Sequence, residues 1–410
     1  MSRPCFAAPL LFSIGTSIAN CALADFVDDS KASVELRNFY LNRDFRQDNA
    51  PQSRTDEWAQ GFTGRLVSGF TEGTLGFGVD ALGQMGLKLD SSPDRRGSGL
   101  LPVGDSGQAA DSYSKLGLTA KARAGKTVLN LGTLQPVLPV VMYNDTRLLG
   151  SSFRGGLLNS QDIQGLSFNA GRLTQASLRD SSGNEDIGYG AASSDHFDFA
   201  GAQYALTPRL NLSYYSANLQ DIYRQQFAGL TYRWPLGEGV ALKTDIRYFD
   251  SRDEGRKLAG TIDNRNFNGM IGLEYKTHRF TTAWQYLSGD SDFPFLNGAE
   301  PYVANLVTYN LFTRAEEDSW QLRYDYDFAG WGVPGLTFMT RYVDGRNVRT
   351  ATVDDGREWE RDTDLAYVVQ DGPRKGVSVR WRNVTFRAGD GLTTDVDENR
   401  LIVGYTLALW

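Results

Sequence analysis

The sequence is poor in cysteine and histidine, and it has no excess of positive charge. Its 410 residues include 2 Cys and 2 His. Two thiols exclude a disulfide-rich scaffold. So few His and Cys supply no spaced ligand set for a metal centre. Lys and Arg total 42 against 49 Asp and Glu, a formal charge of −7, so no global basic bias points to nucleic acid. The mean hydropathy of −0.38 excludes a bundle of transmembrane helices, each needing about 20 apolar residues. What is plentiful is glycine, with 44 residues, and aromatics, at 12%. Glycine above its usual share of about 7% favours many turns and close backbone approaches. The length suits two or three ordinary domains, or one large barrel.

Met1 to Ala24 has the form of a secretory signal, with 25–410 as one domain after it. Arg3 gives the positive start, Phe6 to Ile18 a mostly apolar middle, and Ala22-Leu23-Ala24 a small-x-small cleavage site. Ile18-Ala19-Asn20-Cys21 resembles a lipoprotein box, but Asn20 stands where a small residue is expected. Cleavage after Ala24 removes both Cys5 and Cys21, so the mature chain needs no redox protection in an oxidising compartment. Arg3 is the only charge lost, which takes the net charge from −7 to −8.

Beyond Asp25 the dominant pattern is alternation. Leu75, Phe77 and Val79 alternate with Gly76, Gly78 and Asp80. Leu116, Leu118, Ala120 and Ala122 alternate with Lys115, Thr119, Lys121 and Arg123. Trp320, Leu322, Tyr324 and Tyr326 alternate with Gln321, Arg323 and Asp325, and Leu401 to Leu409 closes the chain in the same way. Period two puts each set on its own face of a strand. A soluble β-sandwich would bury the apolar face, whereas a membrane barrel turns it to lipid. Three features favour the barrel. The strands approach the 9–11 residues a tilted strand needs to cross a bilayer. Many apolar faces end in Tyr, Trp or Phe, as interfacial girdles do. The opposite faces carry charges that a packed sandwich core could not hold unpaired.

Connections alternate in length. Short ones fall at Gly125-Lys126, Thr207-Pro208-Arg209, 235–239 and Lys276-Thr277. Long ones fall near 89–113, 136–162, 181–196, 251–263, 288–317 and 344–358. Short periplasmic turns and long outer loops are the expected asymmetry, and even parity asks for about eighteen strands. The last of these is expected between Leu166 and Asp180, as a hairpin near Gly171-Arg172. The fold class is therefore all-β: a transmembrane antiparallel β-barrel of about eighteen strands with long outer loops.

Several segments together carry a resemblance. They include Phe26 to Ser33, Leu36-Arg37-Asn38-Phe39-Tyr40, Glu57-Trp58-Ala59-Gln60-Gly61-Phe62, and Gly69 to Thr74. Later ones are Tyr143-Asn144-Asp145-Thr146-Arg147-Leu148-Leu149, Asp221 to Gln225, Glu358 to Asp364, Val379-Arg380-Trp381-Arg382-Asn383 and Asp397 to Val403. In these the chain resembles the OprD family of substrate-specific outer-membrane porins from end to end. The resemblance implies a monomeric eighteen-stranded barrel, located in the outer membrane, whose inward loops narrow the pore. It also implies passive uptake of small carboxylates along a ladder of basic side chains, with no cofactor. The family has one branch for basic amino acids and one for cyclic or aromatic carboxylates such as benzoate. The run of motifs looks closer to the second; the first, and a nonspecific porin, stay open as alternatives. Lipid and lipopolysaccharide are the expected surroundings.

A carboxylate leaving water needs compensating charge at each step without being trapped. Arginine suits this, because guanidinium pairs bidentately with carboxylate and keeps its charge. Alternation places Arg380, Arg382, Arg400, Lys121, Arg123, Arg179, Arg323 and Arg341 on polar faces, and Arg46 and Arg147 lie beside expected inward loops. These ten form the expected ladder. The alternative for each is a wall-stiffening pair with an acid such as Glu35, Asp325, Asp362 or Asp364. The segment 136–162 is the expected constricting loop, because Pro136, Pro139, Val140, Val141 and Met142 are too apolar for an exposed one. Tyr143, Asn144 and Asp145 would line the narrow point, with Ser288, Asp290, Asp292 and Tyr302 from the second long loop. An enzyme is disfavoured: only His196 and His278 could act as a base, and no Gly-x-Ser-x-Gly elbow occurs.

Overall fold

A computed structural model describes residues 26–47, 50–389 and 391–410. The proposed signal, with Cys5 and Cys21, lies outside the described residues. The alternating segments form one closed antiparallel sheet. It contains 20 strands, of which Glu185–Tyr189 and Ala192–Ser194 make a small loop hairpin and the other eighteen make the wall.

The wall strands are β1 (Lys31–Phe45), β2 (Arg54–Val67), β3 (Leu75–Asp90), β4 (Ser112–Ala124), β5 (Thr127–Leu134) and β6 (Ser152–Ser160). They continue as β7 (Leu166–Ser177), β8 (Phe197–Thr207), β9 (Leu210–Leu219), β10 (Tyr223–Gly237), β11 (Val240–Asp253) and β12 (Asp263–Tyr275). The last six are β13 (His278–Ser288), β14 (Asp318–Asp327), β15 (Leu336–Val348), β16 (Gly356–Val368), β17 (Ser378–Ala388) and β18 (Val396–Ala408). Each pairs with the next, and β1 pairs with β18 from Ser33↔Ala408 to Phe45↔Val396. Closure leaves no unpaired edge, the condition for backbone in hydrocarbon.

The apolar set faces outward. Leu75 and Phe77 of β3 and Leu116 and Leu118 of β4 are exposed, as lipid-facing side chains are. Exposed aromatics stand at both ends of the wall: Tyr204, Trp234, Tyr275 and Trp331 near the short turns, and Trp58, Tyr286 and Trp320 near the long loops. The polar set faces the lumen.

The apolar core lies inside the barrel, where loops pack on the wall. Val140, Val141, Phe293, Leu296 and Val303 from two loops join Phe197, Tyr215, Phe227 and Phe249 from β8–β11. A second cluster sets Leu100, Leu101, Leu148 and Leu149 against Phe39, Leu41 and Ala59. Apolar loop residues thus bury themselves inward, since the outer solvent offers them nothing.

Two expectations need correction. No hairpin forms near Gly171-Arg172, because β7 runs unbroken from Leu166 to Ser177. The missing strand is β6, which lies inside the segment expected to be loop 136–162; the true loop spans 135–151. The reason is local. Gly132 of β5 faces Gly155 of β6, both at positive φ (137° and 158°), and the register shifts between Arg154 and Gly155. A Cβ on Gly155 would lie 2.0 Å from the Arg172 carbonyl oxygen. The wall bends there, and the bulge breaks the alternation that reveals other strands. At the C-terminus, Leu409 still donates its N–H to the Ala32 carbonyl, so pairing continues past the last strand residue.

Candidate functional site

Two loops turn from the wide rim into the lumen: 135–151 between β5 and β6, and 289–317 between β13 and β14. They join there. Val141–Tyr143 pairs on one side with Val137–Leu138 and on the other with Ala299–Glu300. Ser151 Oγ adds a hydrogen bond to the Gly298 carbonyl at 2.6 Å.

The polar tip of the first loop meets β1. Arg37 Nη1 donates to Asp145 at 2.8 Å and to the Arg147 carbonyl at 2.8 Å, while Nη2 holds Glu35 at 2.7 Å. Arg179 donates to Asn144 Oδ1 at 3.2 Å and Thr146 Oγ1 at 2.9 Å. Arg147 donates to the carbonyls of Ser98 and Thr146, both at 3.0 Å. It is only 7% exposed, and among the described residues no carboxylate lies within 4 Å of it.

Below this tip the basic residues step down the wall. Arg400 is paired with Glu398 and donates to the Thr308 carbonyl at 3.0 Å. Arg341 holds Asp362 at 2.7 Å and reaches the Leu306 carbonyl at 3.3 Å. Arg382 holds Asp364 at 2.6 Å, and Arg380 approaches the same carboxylate at 3.4 Å. Arg323 holds Asp325 at 2.6 Å. Arg323, Arg380 and Arg382 share a cavity of about 520 Å³ toward the short-turn rim with Glu274 and Arg279. At that rim Lys121 binds Asp80 at 2.6 Å, and Arg123 lies over the Phe70 ring, 4.4 Å from its centre. Arg46 stands at the opposite, wide rim, half exposed, and pairs with Asp44 at 2.6 Å.

The expected residues thus divide. Tyr143, Asn144, Asp145, Arg147 and Arg179 gather at the loop junction. Arg179 gets there from beyond the end of β7 and not from a strand face. Tyr302 reaches the lumen on the second loop, where Arg247 stacks on its ring at 3.7 Å. Ser288, Asp290 and Asp292 remain at that loop's root. Asp290 is exposed and faces Arg349 at 3.5 Å, while Asp292 accepts from the Ala315 N–H at 2.8 Å. Four basic residues that selection from sequence passed over stand in the same lumen. Arg37 bridges β1 to the loop tip. Arg43 holds Glu398 at 2.6 Å and lies over Tyr309. Arg247 holds Asp245 at 2.8 Å. Lys115 caps the carbonyls of Gly150 and Leu178 at 3.1 and 2.7 Å. All four stand on polar faces, so the alternation carried the signal that would have found them.

Burial dominates the electrostatics of the loop groups. It pushes Arg147 well down, with Arg400 adding to the effect and Glu398 opposing it. An arginine starts so high that its charge survives. Burial also lowers Arg179, against the pull of Asp180 and Glu300. Glu300 is raised by burial, with Arg179 opposing. Burial raises Glu317 far above the ordinary glutamate value, and the neighbouring Glu358 carboxylate adds to it. Burial thus disfavours the charged form of each of these groups. Among the described residues no cluster of His, Cys, Asp and Glu could hold a metal ion.

Comparison with known proteins agrees with this geometry. Residues 24–409 match the family described as outer membrane porin, OprD family. The porin-like protein GalP of Pseudomonas putida is 39% identical over 404 residues, covering 97% of each chain. The crystal structure of Pseudomonas aeruginosa OccK9 (OpdG) superposes with a TM-score of 0.92 at 46% identity, covering 94% of this chain and 100% of that one. The crystal structure of Pseudomonas aeruginosa OpdK with vanillate gives 0.89 at 39% identity over the same shares.

Proposed function

The chain belongs to the OprD family of outer-membrane porins, and on that premise we propose that its lumen takes up small aromatic or cyclic carboxylates such as benzoate. A porin is a channel and not an enzyme, and its place is the outer membrane. The carboxylate passes from Arg147 and Arg179 at the loop junction to Arg400, Arg341, Arg382, Arg380 and Arg323, and leaves by Lys121 and Arg123.

One observation carries this reading. Arg147 is buried at the junction with no carboxylate within 4 Å among the described residues, so its charge is offset only from farther off, by Glu398 and Glu300. A charge in that position attracts an anion more strongly than it would in water. The five arginines below it face four carboxylates, Glu398, Asp362, Asp364 and Asp325. Charge so largely offset keeps the anion from being held too tightly to leave. Vanillate, the molecule named with OpdK, is a carboxylate on an aromatic ring, and OpdK is one of this chain's structural neighbours.

The test is benzoate entry into liposomes holding purified protein. Removing Arg380 and Arg382 alone would strand Asp364, so the variant is R380Q/R382Q/D364N. The expected result is a clear loss of benzoate flux in a barrel that still migrates as folded protein. Flux equal to the unaltered protein would remove these residues from the path.

A further inference from the structure

Four successive inward positions of β16 are acidic: Glu358, Glu360, Asp362 and Asp364. Asp364 serves the wall, holding Arg380 and Arg382. The other three also receive the loop 289–317. Thr308 Oγ1 donates to Asp362 Oδ2 at 2.7 Å. The backbone N–H groups of Tyr309 and Asn310 donate to the two oxygens of Glu360 at 2.9 and 2.7 Å. Asn310 Nδ2 donates to Glu358. Consecutive loop residues therefore step along consecutive carboxylates.

Glu360 differs from its neighbours on the row. It is 1% exposed, and no Lys or Arg among the described residues stands within 4 Å of it. Its hydrogen-bond donors are the two loop amides. A carboxylate so buried is costly unless it accepts hydrogen bonds, and these last only while the loop is docked. The loop in turn bends through Phe312 and Glu316 at φ 51° and 57°, conformations that side chains other than glycine adopt only when held. The Phe386 ring of β17 and the Arg43 guanidinium of β1 pack on Tyr309 from the other sides.

We propose that Glu360 is a positioning residue for permeation: it pins loop 289–317 at Tyr309 and Asn310, and so fixes the opening left beside loop 135–151. This rests on the chain being a pore but not on which solute it carries.

The experiment is single-channel recording of the full-length protein in potassium chloride alone, so its outcome is separate from that of the benzoate test. E360A is expected to raise the mean conductance and add open-channel noise. E360Q, which keeps one acceptor but turns an amide NH2 toward the loop, is expected to fall between. N310P removes the Asn310 N–H donor to Glu360 together with the side-chain donor to Glu358, and should act in the same direction. Wild-type conductance and noise in folded E360A and E360Q would overturn the proposal. So would failure of the near-isosteric E360Q to fold, which would assign Glu360 to barrel stability alone.

Discussion

At the scale of single residues, the proposed path turns on Arg147. Buried ion pairs contribute little net stability, and a buried charge without a partner detracts from it. Arg147 satisfies the Ser98 and Thr146 carbonyls but pairs with no carboxylate within 4 Å among the described residues, so its surroundings use its donors and leave its charge without an ion pair. R147M keeps the side-chain length and removes the charge. It should lower the thermal midpoint of the folded barrel slightly, because the Ser98 and Thr146 carbonyls lose their donor, while weakening benzoate binding in the channel. A lower midpoint with unaltered binding would reverse that assignment. The opposite kind of residue is Tyr215, fully buried on the inner wall with its ring laid over Gly201. A Cβ on Gly201 would stand 2.2 Å from Tyr215 Cδ1. G201A should therefore cost about 1–3 kcal/mol, read as a lower temperature for loss of the compact band on a gel.

At the scale of elements, the loop 289–317 contains a second carboxylate contact with a pH signature. Glu317 faces Glu358 of β16, with Arg314 of the same loop nearby and Asp292 on the far side of Glu358. Its folded value lies above its ordinary one, so the docked loop favours the protonated form. The stability this provides is complete below the ordinary glutamate range and is lost as pH rises through the raised value. Open-channel noise should therefore grow with pH above the ordinary glutamate range, and E317Q should flatten that dependence. A flat profile in the unaltered protein would show that this contact does not hold the loop.

The elements also show what sequence makes legible. Strands with an exposed apolar face and a charged face, such as β4 and β14, can be found by alternation alone. β6 could not, because Gly155-Gly156 and Leu157-Leu158 break period two where the wall bends. The inward turn of the first loop was legible from its apolar residues, since such side chains need a surface to cover. Which polar groups meet at the junction was not. Arg37 reaches Asp145, and Tyr309 reaches Glu360, only because the barrel closes and brings distant strands together. Period two gives a residue's face, and no local pattern gives its partner across the lumen.

For the whole molecule, closure of β1 on β18 sets everything else. It removes the edges, turns the apolar faces to lipid, and leaves an interior where loops must pack. That interior contains both signs of charge, paired along the wall, so the net charge of the chain says little about what passes. Charges at the rims, such as Asp354 and Asp355, act over about 8 Å at physiological salt. The central claim is that an aromatic carboxylate binds on the path between the loop junction and the short-turn rim. The measurement that tests it most directly is single-channel recording of the purified protein with benzoate, and separately arginine, added to one side. The account predicts conductance steps with flicker that grows with benzoate and is absent with arginine. Flicker with arginine alone, or steady steps indifferent to both, would contradict it.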